Sequence, residues 1–221
     1  YNNTALLMIK NYLIIKNKNN FKTLVYYPVA KNANSSVKLF LIKHLGIEKK
    51  FFFLDNEIPC FLQTKKKLEE YDTKINLVNF IPSYSKFEKV DADYKCCLVR
   101  DPIKRFISAY NNRILFHQDE GFKNHSIDQI IEKLENNNFE NKHFLPQNYW
   151  LGNDLKFFNI VSNTNDMSEF IDNINNFFEK KISFPKMQTG KGKNNISLNL
   201  SHKQKIKKIY EHDYDLIGSL L

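Results

Sequence analysis

Two short segments, far apart in the chain, restrict the fold more than any other feature. The first, Tyr26-Tyr27-Pro28-Val29-Ala30-Lys31-Asn32-Ala33-Asn34-Ser35-Ser36, leaves an apolar β-like run and opens a helix-like one. The second, Val99-Arg100-Asp101-Pro102-Ile103-Lys104-Arg105-Phe106-Ile107-Ser108-Ala109-Tyr110, does the same. A strand-to-helix junction carrying small polar and basic residues is where α/β proteins hold phosphates, because the backbone N–H groups and the positive helix end converge there. Two such junctions imply a ligand with phosphate at both ends.

The intervening sequence supports the same architecture. Thr23-Leu24-Val25-Tyr26-Tyr27, stopped by Pro28, predicts a buried strand. Val37, Phe40, Leu41 and Leu45 then recur at helical spacing, with Gly46 placed to end the helix. Asn76 to Ile81 and Lys95 to Val99 predict further strands, and Asp101-Pro102 reads as the N-cap and first turn of a helix with Ile103, Phe106, Ile107, Tyr110 and Ile114 on its apolar face. A helix is expected from Ser126 to Glu135, a strand over Phe157 to Val161, an amphipathic helix from Met167 to Phe178 and a last helix around Ser201 to Glu211. Strands alternating with helices predict a P-loop-like α/β fold, its mostly parallel sheet covered by helices on both faces. The length of 221 residues suits one domain, residues 1–221.

Composition narrows the partners. With 33 Lys and Arg against 24 Asp and Glu the chain carries a net charge of +9, which favours an anionic partner: nucleotide, glycan, nucleic acid or acidic lipid. No recognisable nucleic-acid motif accompanies that charge, so no nucleic-acid partner is expected. The three cysteines, two of them the adjacent Cys96 and Cys97, give little support to a disulfide framework or a metal site, and a reducing compartment, the cytoplasm, is the simpler expectation. Nothing approaches the roughly 20 apolar residues of a membrane span. The sequence opens at Tyr1 without an initiator methionine, so a membrane anchor is expected only outside the given residues.

The chemistry of the two junctions is distinct. Around Lys31, short side chains let backbone N–H groups turn toward an anion, Asn32, Asn34, Ser35 and Ser36 add side-chain donors, and Lys31 adds a point charge. The glycines of a Walker A loop are missing, and the competing reading is a polar turn that caps a helix. Arg100 offers a forked donor, with Ser108 two helical turns on; the competing reading is a helix cap with a local ion pair.

Lys31-Asn32-Ala33-Asn34-Ser35-Ser36 resembles the 5′-phosphosulfate-binding loop of the carbohydrate (Golgi-type, family 2-like) sulfotransferases, and Arg100-Asp101-Pro102 through Ser108-Ala109-Tyr110 resembles their 3′-phosphate motif. His143-Phe144-Leu145-Pro146-Gln147 is similar to the family's His-x-x-Pro-Gln element, and Tyr210 to Gly218 to its closing Tyr-x-x-Asp-Tyr-x-Leu-x-Gly helix. The resemblance implies transfer of a sulfuryl group from 3′-phosphoadenosine 5′-phosphosulfate (PAPS) to a hydroxyl, most often of a saccharide, without a metal. It implies that Lys31 and the loop Asn32, Ala33, Asn34, Ser35 and Ser36 hold the 5′-phosphosulfate, and that Arg100 and Ser108 hold the 3′-phosphate. The late polar loop with Thr189, Lys191 and Lys193 is expected either to close over the nucleotide or to be a solvated loop. His143 is the expected base, with Glu57 its rival, and Arg105, Arg113 and Gln147 are candidates to touch an anionic acceptor. The element after His143 lacks the cysteine often found in secreted relatives, which points away from a Golgi lumen setting. Two other classes compete: a nucleotide-dependent kinase with a P-loop-like fold, and a non-catalytic basic glycan-binding module.

Overall fold

The computed structural model describes residues 13–17, 20–46, 52–54, 58–60, 75–79, 87–185 and 195–221. Seven strands form two sheets: β1 (Leu13–Asn17), β2 (Thr23–Tyr27), β3 (Phe52–Leu54), β4 (Ile58–Cys60), β5 (Ile75–Asn79), β6 (Tyr94–Val99) and β7 (Ile160–Asn163). The main sheet runs β5-β1-β2-β6-β7, and β3 with β4 makes a separate pair. β2, β6 and β7 are parallel, whereas β1 is antiparallel to both β2 and β5. Sequence reading passed over β3, β4 and, in the main sheet, β1: Leu13-Ile14-Ile15 is short and ends in the polar Lys16-Asn17, yet it pairs Leu13 with Tyr26 and Lys16 with Thr23. The late strand is also shifted, because Asp154 accepts a hydrogen bond from the Lys156 N–H and coils Leu155–Phe157 into a 3-10 turn before β7 begins.

Alternation along β2 and β6 divides the core. Leu24, Tyr26, Cys96 and Leu98 face one side, where α1 (Asn34–Leu45) supplies Val37, Phe40 and Leu41. Farther along the chain come α2 (Pro102–Ala109), α3 (Ile127–Glu135), α4 (Gln147–Leu151) and α5 (Ser168–Phe177), and α5 joins α1 on that side through Phe170, Ile174 and Phe177. Val25, Tyr27, Cys97 and Val99 face the other side, against Trp150 and Leu151 of α4 and Ile217 of the last helix. The sheet therefore has helices on both faces, the α/β arrangement that the junctions predict. A third cluster, Phe106, Ile130, Ile131, Leu134, Phe144 and Ile206, joins α2 and α3 to α6 (Leu200–Ile209).

Local signals set most helix ends. Gly46 adopts φ 66° and donates its N–H to the carbonyls of Ile42 and Lys43, a left-handed cap that glycine accepts without strain. Asp101 accepts from the Lys104 N–H, with Pro102 as first helical residue. Ser126 and Gln129 make a reciprocal capping box. The helix expected around Ser201 to Glu211 is α6, and the closing helix implied by the resemblance is a separate α7 (Glu211–Ile217); the two part at Tyr210, whose hydroxyl donates to the Phe144 carbonyl at 2.6 Å. Gly152, at φ 74°, lies so close to Phe87 that an added Cβ would stand 2.7 Å from the ring. Among the described residues no helix is long and apolar enough to cross a membrane.

Candidate active site

The two junctions stand side by side because β2 and β6 are neighbours in the parallel part of the sheet. After β2 the chain turns sharply, with Lys31 at φ 70° and Ala33 at φ 58°. Two left-handed residues without glycine cost roughly 1–3 kcal/mol each and persist only where their surroundings over-determine them. Here they do. The Lys31 carbonyl accepts from Arg100 Nη1 at 2.8 Å, the Ala30 carbonyl accepts from Arg105 Nε at 3.0 Å, and Asn32 Nδ2 donates to the Leu98 carbonyl at 2.7 Å and to Gln147 Oε1 at 2.8 Å. α1 then starts at Asn34 with no side chain capping it and no acidic residue in its first turn. A helix start of this kind, next to a lysine, has the unsatisfied N–H groups and positive end that suit an anion.

Gln147 joins the second junction to the first. Its side chain accepts from the Arg100 N–H at 3.0 Å and donates to the Arg100 carbonyl at 2.8 Å, while its own N–H donates to Asp213 Oδ2 at 2.8 Å. Asp213 Oδ1 also accepts from the Asn148 N–H at 3.0 Å, so Asp213 of α7 caps α4. Burial pushes the Asp213 carboxyl up, against the nearby Arg105 charge. Arg100 keeps the remaining nitrogens of its guanidinium without a partner among the described residues, and burial beside Arg105 lowers its pKa. Ser108 is half-buried on α2.

A π-helical turn, Tyr110–Phe116, continues α2 and carries Asn112 and Arg113. Such wide turns accommodate an extra residue and re-aim side chains, often at functional sites. Asn112 Oδ1 accepts from Lys31 Nζ at 2.8 Å. Burial, then the charges of Arg113, Arg100 and Arg105, lower the Lys31 pKa to about 7. Arg113 forks onto Asp119 at 2.7 and 2.5 Å, Asn141 Nδ2 donates to the same carboxylate at 2.8 Å, and Asn141 Oδ1 accepts from the His143 N–H at 3.1 Å. Burial pushes the Asp119 carboxyl up, but the hydrogen bonds from Arg113 and Asn141 outweigh it and hold the group below its usual range. Burial, followed by Arg113 and Lys31, lowers the His143 pKa to about 3. His143 is therefore neutral at physiological pH and stands within the electric field of Lys31. It opens onto a cavity of about 350 Å³ beside Arg113 and Asp119.

The family model described as "Sulfotransferase family" matches residues 13–218. The chain belongs to the sulfotransferase family. Searches of curated proteins and of solved structures returned no significant match. Membership makes the protein a transferase of sulfuryl groups, and the α/β fold described above is consistent with it.

Within this sulfotransferase several expected contacts are corrected. Arg105 was a candidate for the acceptor, but it is 1% exposed and donates to the carbonyls of Ala30, His143 and Leu145, with Tyr210 stacked on it at 5.9 Å. It clamps the Lys31 loop to the His143 turn. Gln147, also expected at the acceptor, is 0% exposed and bonds only to protein groups. The Asn32 amide group points inward rather than serving as a donor for an anion; Asn34 accepts the Tyr26 hydroxyl on Oδ1 at 2.6 Å, which leaves its Nδ2 donors for the loop. Lys31, Ser35, Ser36 and the helix start remain together beside Arg100. Glu57, Thr189, Lys191 and Lys193 lie outside the described residues. Asn112, Asp119 and Asn141 are site residues that sequence reading did not single out. Among the described residues, no group of three or more His, Cys, Asp or Glu is placed to hold a metal.

Proposed function

We propose that the enzyme moves the sulfuryl group of PAPS to a saccharide hydroxyl by in-line displacement. One observation carries the reading: the lysine-bearing, uncapped start of α1 and the Arg100 guanidinium are bonded to each other across adjacent parallel strands. That arrangement suits a nucleotide with phosphates at two positions. Lys31, Ser35, Ser36 and the backbone at the start of α1 would take the 5′-phosphosulfate, and Arg100 with Ser108 the 3′-phosphate.

In the transfer, a bond forms from the acceptor oxygen to sulfur as the bond from sulfur to the 5′-phosphate oxygen breaks. His143 receives the acceptor proton, and Lys31 opposes the charge growing on the phosphate oxygen. Burial is the first cause of the low His143 pKa; among the lesser causes, an anionic donor would offset the Lys31 charge and so favour protonation of His143 in the complex. Calorimetry with 3′-phosphoadenosine 5′-phosphate (PAP), ATP and ADP tests the donor assignment. PAP is expected to bind in the micromolar range or better and ATP much more weakly; equal binding would remove the 3′-phosphate site.

A further inference from the structure

The net charge of +9 by itself favours a polyanionic acceptor. The cavity beside His143 has another character. The cations near it are already engaged: Arg113 spends two donors on Asp119, Arg105 is buried on three carbonyls, and Lys31 and Arg100 belong to the donor side. Lys142 is the other cation of the wall. The same wall carries Glu120 and Glu140, both exposed, and neither forms an ion pair among the described residues. The wall thus carries three carboxylates, those of Asp119, Glu120 and Glu140, against two cations. Phe122, buried in the cluster behind the wall, backs these carboxylates with apolar surface.

Like charges placed together across a contact discriminate strongly against the wrong partner, and opposite charges select the right one. We infer that the reacting residue of the acceptor carries no negative charge, and that Glu120 and Glu140 favour a protonated amine close to the reacting hydroxyl, as in an amino sugar. The inference rests on the sulfuryl-transfer reading and names the substrate class of that same site. The basic surplus of the chain then serves the donor, while the acceptor is chosen by acidic groups.

The test uses oligosaccharides of one backbone bearing a glucosamine, an N-acetylglucosamine or a glucuronate residue, with labelled PAPS. The free-amine acceptor is expected to exceed the uronate at least tenfold in kcat/KM, with the acetylated sugar between them. In the variant carrying Glu120→Gln and Glu140→Gln the amine-to-uronate ratio is expected to fall at least tenfold. Both positions are exposed, and the thermal shift given by PAP reports whether the variant is folded. Preference for the uronate, or an amine preference that survives both substitutions, overturns the inference while leaving the donor reading intact. PAP binding without sulfation of any saccharide overturns the inference together with the saccharide reading. Failure to bind PAP strikes the donor reading itself, and the inference falls with it.

Discussion

The corner of Lys31 and Arg100, proposed to hold the donor, and the cavity beside His143, proposed to hold the acceptor, are built in opposite ways. On the donor side, Lys31, Arg100 and Arg105 crowd three cations into a buried corner, and Gln147, Asn32 and main-chain carbonyls fix the chain at each turn. On the acceptor side, the cavity is lined by a π turn, a loop and a 3-10 turn, with Glu120 and Glu140 exposed on its wall. The contrast follows from what each must do. Like charges stay together only if the scaffold prevents their separation, whereas a surface that selects among acceptors gains by exchanging solvent readily. The Arg113–Asp119 pair lies between the two, with Asn112 reaching Lys31 on one side and Asn141 reaching His143 on the other.

Substitutions can separate the halves. The largest loss is expected for His143→Ala, with kcat down about 100- to 10,000-fold, the usual worth of a general base, and PAP affinity nearly unchanged. A parallel loss of PAP affinity in calorimetry would show that the two sides are not independent. Lys31→Ala is expected to lower kcat about 100- to 1,000-fold, the scale of losing one transition-state donor, while the melting temperature holds or rises, because a crowded cation is removed. A variant with near-normal turnover would exclude Lys31 from the chemistry.

Gln147→Leu removes the tie between the junctions. Leaving the Arg100 N–H and carbonyl unsatisfied costs about 1–3 kcal/mol for each buried group, so chemical denaturation should show a loss of about 2–4 kcal/mol, with weakened PAP binding. An unchanged acceptor KM would sharpen the contrast between the sides; a changed one would blur it.

Acidity provides a smaller effect of defined sign. Lys31, near pKa 7, loses its proton as pH rises through that value, so PAP affinity should fall above pH 7, approaching tenfold per pH unit if only the charged form binds. His143, near 3, adds no inflection in that range. A pH series of titrations checks this, and in Lys31→Arg the fall should flatten, since guanidinium stays charged.

The smallest effect lies far from both sides. His44 is buried against Phe40 and stacked on Phe178 at 4.6 Å, and burial with the Lys180 charge lowers its pKa to about 4 from 6.5. Its unfolded form takes up a proton that the native form refuses, so this contribution is complete above pH 6.5 and is lost as pH falls toward 4. His143 acts in the same sense down to about 3. The melting temperature should therefore fall between pH 6.5 and 4.5, and His44→Phe should reduce the slope; an unchanged slope would dismiss His44 as a source.

The two strand-to-helix junctions were legible in the sequence for a physical reason. β2, the Lys31 loop, α1, β6 and the Asp101-Pro102 cap are specified by neighbours within a few residues, and those local preferences agree with the fold. What escaped sequence reading depends on distance along the chain. Gln147 lies 115 residues from Asn32 and Asp213 lies 66 from Gln147, so nothing local marks either as buried. Arg105 misled for the same reason: an arginine beside a phosphate motif suggests ligand contact until its three carbonyl partners are seen. Asn112 sits off the apolar stripe of α2, and only the π turn brings it to Lys31. Alternation of strands and helices gave the parallel core, but it could not disclose the antiparallel β1, whose place is set by pairing with β2 and β5.

The capping of α4 by Asp213 and the bond from Tyr210 to Phe144 have a consequence for biosynthesis. Lys31 and Arg100 leave the ribosome well before Tyr210 and Asp213, the groups that hold segment 144–147 and, through Gln147, both junctions. A nascent chain halted before Tyr210 would display both donor motifs without the buried frame that sets their spacing. The growing polypeptide thus acquires its charged corner only when the cap that stabilises it has been translated.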